Sequence, residues 1–236
     1  MIFLNVSSLL FWFLVGLLVL LLGIIVFLVF YIKKYVKQIG QDKSKVYSFF
    51  NENIEPGGTI FLGDSLTEFY RLDEFFPNLN VYNRGIAANT SIDVLNRLED
   101  NVIKMKPKKV FLQIGTNDLG EKAKPIEVID NIKTIISRIK NGVEDVKIFL
   151  ISLYPVNSRV MLHSKFITGK RKNKVIDYIN QELINYCQEN NITFIDVASH
   201  LKDENGKLKK KYTLEGLHIN SFGYLKITEI LKDYVL

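Results

Sequence analysis

Ser65 stands in Gly63-Asp64-Ser65-Leu66, directly after the apolar run 59–62. That run reads as a buried β-strand; Gly63 breaks it, and 66–71 read as a helical turn. A hydroxyl held where a strand ends and a helix starts is well placed for nucleophilic attack. Backbone N–H groups at such a turn stabilise a nearby anion. Three further clusters carry groups that would serve a nucleophile. Gly85 follows a second short strand, Asn117 and Asp118 follow a third, and Glu215 precedes His218 by three residues ahead of the last helix. Each alone has a plainer reading. Gly85 would supply a turn, Asn117 and Asp118 would cap the next segment, and His218 would be a satisfied surface histidine. Together they make a hydroxyl, an imidazole, a carboxylate, an exposed-backbone glycine and an amide donor. That set is what acyl transfer through a serine requires.

The elements that must position these groups alternate along the chain. Strands are expected at 59–62, 80–83, 110–114, 147–153 and 192–197. Helices are expected between them. Thr90 or Ser91 caps one that runs to about Met105, with Ile92, Leu95, Leu98 and Val102 on one face. Pro125 opens another, whose isoleucine stripe ends at Asn141-Gly142. A third covers 172–190, and Ser221 caps the last. Alternation of this kind predicts an α/β domain, a parallel sheet with helices on both faces, whose ligands bind at the carboxyl ends of the strands. Segment 154–170 is irregular and reads either as a wall of that site or as a plain surface excursion.

Gly-Asp-Ser-Leu at 63–66, Gly85, Gly-Thr-Asn-Asp at 115–118 and Gly-Leu-His at 216–218 occur in the order and rough spacing of the SGNH (GDSL) hydrolase family. The chain resembles that family from about Ile54 to its C-terminus, and 83–87 is similar to a block of bacterial esterase members. The resemblance implies a flavodoxin-like three-layer α/β/α sandwich with a five-stranded parallel sheet. It implies Ser65 as nucleophile and His218 as general base. It implies an oxyanion hole from the backbone N–H groups of Ser65 and Gly85 and the side-chain amide of Asn117. Asp64 and Asp118 would be supporting residues, Asp118 holding the Asn117 loop. The family usually has Asp three residues before the histidine, where this chain has Glu215; a carboxylate is kept, one methylene longer.

The first 32 residues carry no charged side chain, and 9–31 are nearly all Leu, Val, Ile and Phe. About 20 such residues span a bilayer as a helix. The run lacks a basic leader and a small-residue cleavage site, so it reads as one uncleaved anchor. The expected organisation is an anchor with juxtamembrane lysines at 1–36, a polar linker and lead-in helix at 37–53, and the hydrolase domain at 54–236. Lysines at 33, 34, 37, 43 and 45 follow the span, which favours a cytoplasmic catalytic domain and with it a lipid or cytoplasmic ester; the alternative, an extracellular face, would favour a glycan. The net charge of +6 comes with no nucleic-acid motif. His163 and His200 are isolated, so no metal site and no cofactor are expected. Cys187, the single cysteine, lies on an apolar helical face and reads as packing. The leading expectation is a membrane-anchored serine esterase acting on a lipid or acylated glycan through an acyl-serine. The alternatives are an acyltransferase using the same serine and a catalytically idle membrane-tethered binding domain, which Glu215 alone favours.

Overall fold

The computed structural model describes residues 6–236. The first five residues of the expected anchor lie outside the described part. Helix α1 (Val6–Asn51) has a run long and apolar enough to cross a membrane. The stretch 38–44, expected as a linker, is helical within α1. Its Gln, Lys and Asp residues are tolerated on a solvated helix. The one glycine, Gly40, costs about 1 kcal/mol, too little to end a helix formed on both sides of it. The chain forms two compact units, a first that ends at Asp42 and a second, Lys43–Leu236.

The second unit is built on strands β1 (Thr59–Gly63), β2 (Val81–Gly85), β3 (Lys109–Gln113), β4 (Lys147–Ile151) and β5 (Thr193–Ile195). They form one parallel sheet in the order β2-β1-β3-β4-β5, the flavodoxin-like order. The helices that return the chain are α4 (Ser91–Asn101), α6 (Pro125–Gly142), α8 (Asn173–Glu189) and α10 (Ser221–Val235). Short helices α2 (Ser65–Glu68), α3 (Leu72–Phe75), α5 (Thr116–Gly120), α7 (Ser164–Thr168) and α9 (Ala198–Leu201) sit in the connections. Thr90 caps α4 in a reciprocal capping box with Asp93. Asn220, rather than Ser221, caps α10, accepting from the Gly223 N–H.

Period-2 alternation sends each strand's side chains to two cores. Ile60, Leu62, Val110 and Leu112 face one side and pack with the apolar stripes of α4, α6 and α8. Phe61, Phe111 and Phe149 face the other and stack across three paired strands at 4.6 Å between ring centroids, under α10. Both faces are covered, as a parallel sheet requires.

The last turns of α1 belong to this unit. Lys43 Nζ meets Glu68 at 2.5 Å, and the Tyr47 hydroxyl donates to the Gly85 carbonyl at 3.0 Å. The Ser44 hydroxyl donates to Asn101 Oδ1 at 3.1 Å, and Asn51 Nδ2 donates to the Asp100 carbonyl at 2.8 Å. These turns therefore run along β2 and α4, starting at the carboxyl edge of the sheet, where Glu68 and Gly85 lie.

Candidate active site

The chain order of the sheet reverses at β1, so the crevice at the carboxyl ends of β1 and β3 is the topological switch point. Ser65 leaves β1 there as the first residue of α2. Asp64 caps that turn, its Oδ1 accepting the Leu66 N–H at 2.9 Å. Tyr224 on α10 fixes the other end, its hydroxyl donating to the Leu66 carbonyl at 2.9 Å.

The loop before α10 carries the histidine and carboxylate back over the serine. His218 Nε2 lies 3.2 Å from Ser65 Oγ, and His218 Nδ1 lies 2.6 Å from Glu215 Oε1. The same Glu215 oxygen accepts the backbone N–H of His218 at 3.0 Å. One carboxylate oxygen thus holds both ends of the histidine, and the extra methylene of Glu is taken up inside this three-residue turn. With Nδ1–H donating to Glu215, Nε2 is left as the acceptor facing Ser65. The loop is tied by Thr213, whose hydroxyl donates to the His218 carbonyl at 2.6 Å and accepts the Gly216 N–H.

Asn117 comes from α5, at the end of β3. Its amide nitrogen donates to the Asn89 carbonyl at 3.0 Å and lies 3.5 Å from Asp64 Oδ2. Its amide oxygen accepts from Arg171 Nη2 at 2.9 Å. Arg171 also donates to the carbonyls of Thr116, Ile167 and Thr168. Its guanidinium lies so close to Gly120 that a Cβ there would sit 2.5 Å from Nη2. Asp118 is buried and receives both the N–H and the hydroxyl of Ser91. It pins the start of α4 to α5.

Gly85 departs from its expected part. Its N–H donates to Asn83 Oδ1 at 2.8 Å, so it is not free for an oxyanion. The glycine is needed for close approach instead: a Cβ would lie 2.2 Å from the Glu68 nitrogen of α2. Gly85→Ala is expected to push α2 off the sheet and to destabilise the protein by about 3 kcal/mol. Thermal unfolding of the variant tests this, and an unchanged midpoint would contradict it. Three residues on, Ala88 adopts φ 62°, a left-handed conformation unusual for alanine. Among the described residues, no acceptor takes the N–H of Ala88 or of Ser65. The Ala88 turn is held on both sides. Glu68 accepts the Ala87 N–H, and the Asn89 side chain accepts from the buried Arg97 at 2.7 Å.

Sequence reasoning missed Ala88, Arg97 and Arg171. Nothing in an alanine's identity signals a positive φ. Arg171 lies 54 positions from Asn117, and only Gly120, the flat spot under it, hinted at a neighbour there.

Burial sets the electrostatics. It pushes the Asp64 carboxyl up to about 7, against the lowering effect of the Leu66 N–H and Arg171. It also raises Asp118, and it lowers Arg97 to about 10. Between about pH 4, where an unfolded aspartate ionises, and about pH 7, the native chain keeps the Asp64 proton that the unfolded chain releases. The stability from Asp64 is therefore full below about pH 4 and is lost as pH rises to about 7. Asp64→Asn, which keeps an oxygen for the Leu66 N–H, is expected to flatten that fall. Unfolding midpoints across the range measure it, and an unaltered slope would count against the assignment.

A flavodoxin-like sheet with a serine, a histidine and a carboxylate converging at its switch point defines an SGNH-type ester hydrolase. The model of the GDSL-like Lipase/Acylhydrolase family matches residues 61–226, and the chain belongs to that family. Similar solved structures include one from Streptococcus pneumonia, provisionally described as a platelet activating factor. It is 30% identical, with 87% of this chain and 96% of that one covered, at a TM-score of 0.81. Another, from Bacteroides fragilis and provisionally described as an acylhydrolase, is 25% identical. There 80% and 93% are covered, at a TM-score of 0.71. An N-acylneuraminate cytidylyltransferase of Escherichia coli is 31% identical over 190 residues; the match takes in 77% of this chain and 42% of that protein's length.

Proposed function

We propose that the chain is a membrane-anchored serine esterase that cleaves carboxylic esters of a lipid or an acylated glycan through an acyl-serine. The observation that carries this is the line Ser65 Oγ, His218 Nε2, His218 Nδ1, Glu215 Oε1, at 3.2 and 2.6 Å. His218 Nε2 takes the Ser65 proton as Oγ attacks the ester carbonyl, and Glu215 stabilises the imidazolium that forms. The oxyanion is met by the N–H groups of Ser65 and Ala88 and by the Asn117 amide. Collapse breaks the bond to the leaving oxygen, which receives the proton from Nε2. Water then gives a proton to Nε2, attacks the acyl carbon and frees Ser65, whose Oγ recovers that proton. Glu215, the feature behind an idle-domain reading, lies at bonding distance from His218, which favours catalysis.

Helix α1 supplies the anchor, and the lysines after its apolar run favour a cytoplasmic catalytic unit, Lys43–Leu236. The test is hydrolysis of nitrophenyl esters, from acetyl to dodecanoyl, by the full chain in detergent. Serine-dependent turnover is expected, and its chain-length profile gives the acyl preference. No rate above that of Ser65→Ala on any ester would overturn the reading.

A further inference from the structure

The connection from β4 to α8 carries an unusual pairing of apolar exposure and charge. Leu162 is 99% exposed, Phe166 is 87% exposed and Met161 is 51% exposed. Single exposed apolar residues are ordinary, but three large ones within six positions form a patch that water disfavours. Around them Arg159, Lys165 and Lys170 are also exposed, and none has a carboxylate partner among the described residues. The chain has no acidic residue between Asp145 and Asp177. This exposure is built in. Asn157 Nδ2 donates to the Leu208 carbonyl at 2.9 Å, the Ser164 hydroxyl accepts the Met161 N–H at 2.8 Å, and Arg171 binds the carbonyls that end α7. A backbone fixed in this way cannot fold its apolar side chains inward.

The patch also adjoins the site. The Asn157 N–H donates to the carbonyl of Gly216, next to Glu215, at 2.8 Å. As the β4–α8 connection, the segment stands at the carboxyl edge of the sheet. The chain enters the catalytic unit at that same edge, where Lys43 meets Glu68.

We propose that residues 158–170 form a docking lip for an anionic bilayer. Met161, Leu162 and Phe166 enter the acyl boundary, and Arg159, Lys165 and Lys170 meet the lipid phosphates. The lip brings the mouth of the site to the lipid surface, so that an ester carried in the bilayer reaches Ser65 without full transfer through water. The inference rests on the membrane-anchored esterase reading and assigns its substrate to the bilayer.

The test uses the full chain in liposomes of phosphatidylcholine alone or mixed with phosphatidylglycerol. Leu162→Cys takes an environment-sensitive thiol probe, while the buried Cys187 does not. Glu189→Cys, exposed at the far end of α8, is the control. A blue shift and quenching by spin-labelled lipid are expected at position 162 in anionic liposomes, weaker in neutral ones and absent at position 189. A position-162 probe that reads water in anionic liposomes overturns the lip, and equal shifts in both lipids overturn its anionic assignment. A concentration-dependent shift in detergent without lipid would give the patch to a second copy of the chain and overturn the lip. Flotation of the chain with liposomes through high salt reads the anchor separately. Leu162→Asp with Phe166→Asp is expected to leave turnover of soluble nitrophenyl acetate unchanged. Cleavage of bilayer-borne esters should fall about tenfold; equal loss on both substrates would also overturn the lip.

Discussion

Ser65→Ala is expected to lower kcat on a nitrophenyl ester by about 10^4-fold or more, with the protein still folded. Ser65 is nearly buried, and its hydroxyl meets the protein through His218 Nε2, so losing the oxygen removes the nucleophile and little packing. His218→Ala should cost a similar factor, because an unassisted hydroxyl is a poor nucleophile at neutral pH. The double variant should be no worse than either single one, since the two residues act as a unit. Glu215 gives the finer test. Its Oε1 serves both Nδ1 and the backbone N–H of His218. Glu215→Asp withdraws the carboxylate by about one C–C bond, ~1.5 Å, so it reaches one of the two at most. A kcat about tenfold lower is expected, with KM little changed. Independent, additive losses at Ser65 and His218 would argue that the two do not share one proton transfer. An unchanged rate in Glu215→Asp would argue that the carboxylate does not orient the imidazole.

Much of this was legible in the chain because the signals were local. The strand before Ser65 is a short apolar run ended by glycine, and the isoleucines of α6 repeat at helical spacing; run length with its breaker locates the first and periodicity the second. The parallel α/β architecture followed from the alternation of strands and helices, and the flavodoxin-like order from the family resemblance alone. What escaped depended on contacts between distant segments. The Gly85 N–H is taken by a side chain two residues before it, while the need for glycine comes from helix α2 lying on the strand. Composition cannot distinguish a glycine that frees an N–H from one that admits a neighbour. The polar stretch before the domain looked like a linker because polarity marks solvent exposure, and a solvated helix is exposed as well. The docking of Tyr47 and Asn51 on β2 and α4 uses side chains with no periodic signature.

Asn117→Ala is expected to lower kcat by about 10^2–10^3-fold with KM little affected, the cost of one oxyanion donor. An amide delivers such a bond only if its nitrogen, not its oxygen, faces the reacting carbonyl. Here Arg171 sets that choice. Its Nη2 holds the amide oxygen at 2.9 Å, which turns the amide nitrogen the other way, towards the Asn89 carbonyl at 3.0 Å and, by a long contact of 3.5 Å that an oxyanion would replace, Asp64 Oδ2. A cation on the oxygen also draws electron density from the nitrogen and strengthens its donation. Arg171→Met should therefore lower kcat about tenfold, the worth of one charge-assisted hydrogen bond. Gly120→Ala should do much the same, because its Cβ would displace the guanidinium. If Arg171 acts through Asn117, Arg171→Met costs almost nothing further in an Asn117→Ala background. A merely structural arginine would instead give additive losses, with a lowered unfolding midpoint in both backgrounds. The same cycle run with Arg171→Lys distinguishes charge from geometry. A lysine restores the cation but cannot reach four carbonyl-type oxygens from one plane, so recovery should be partial.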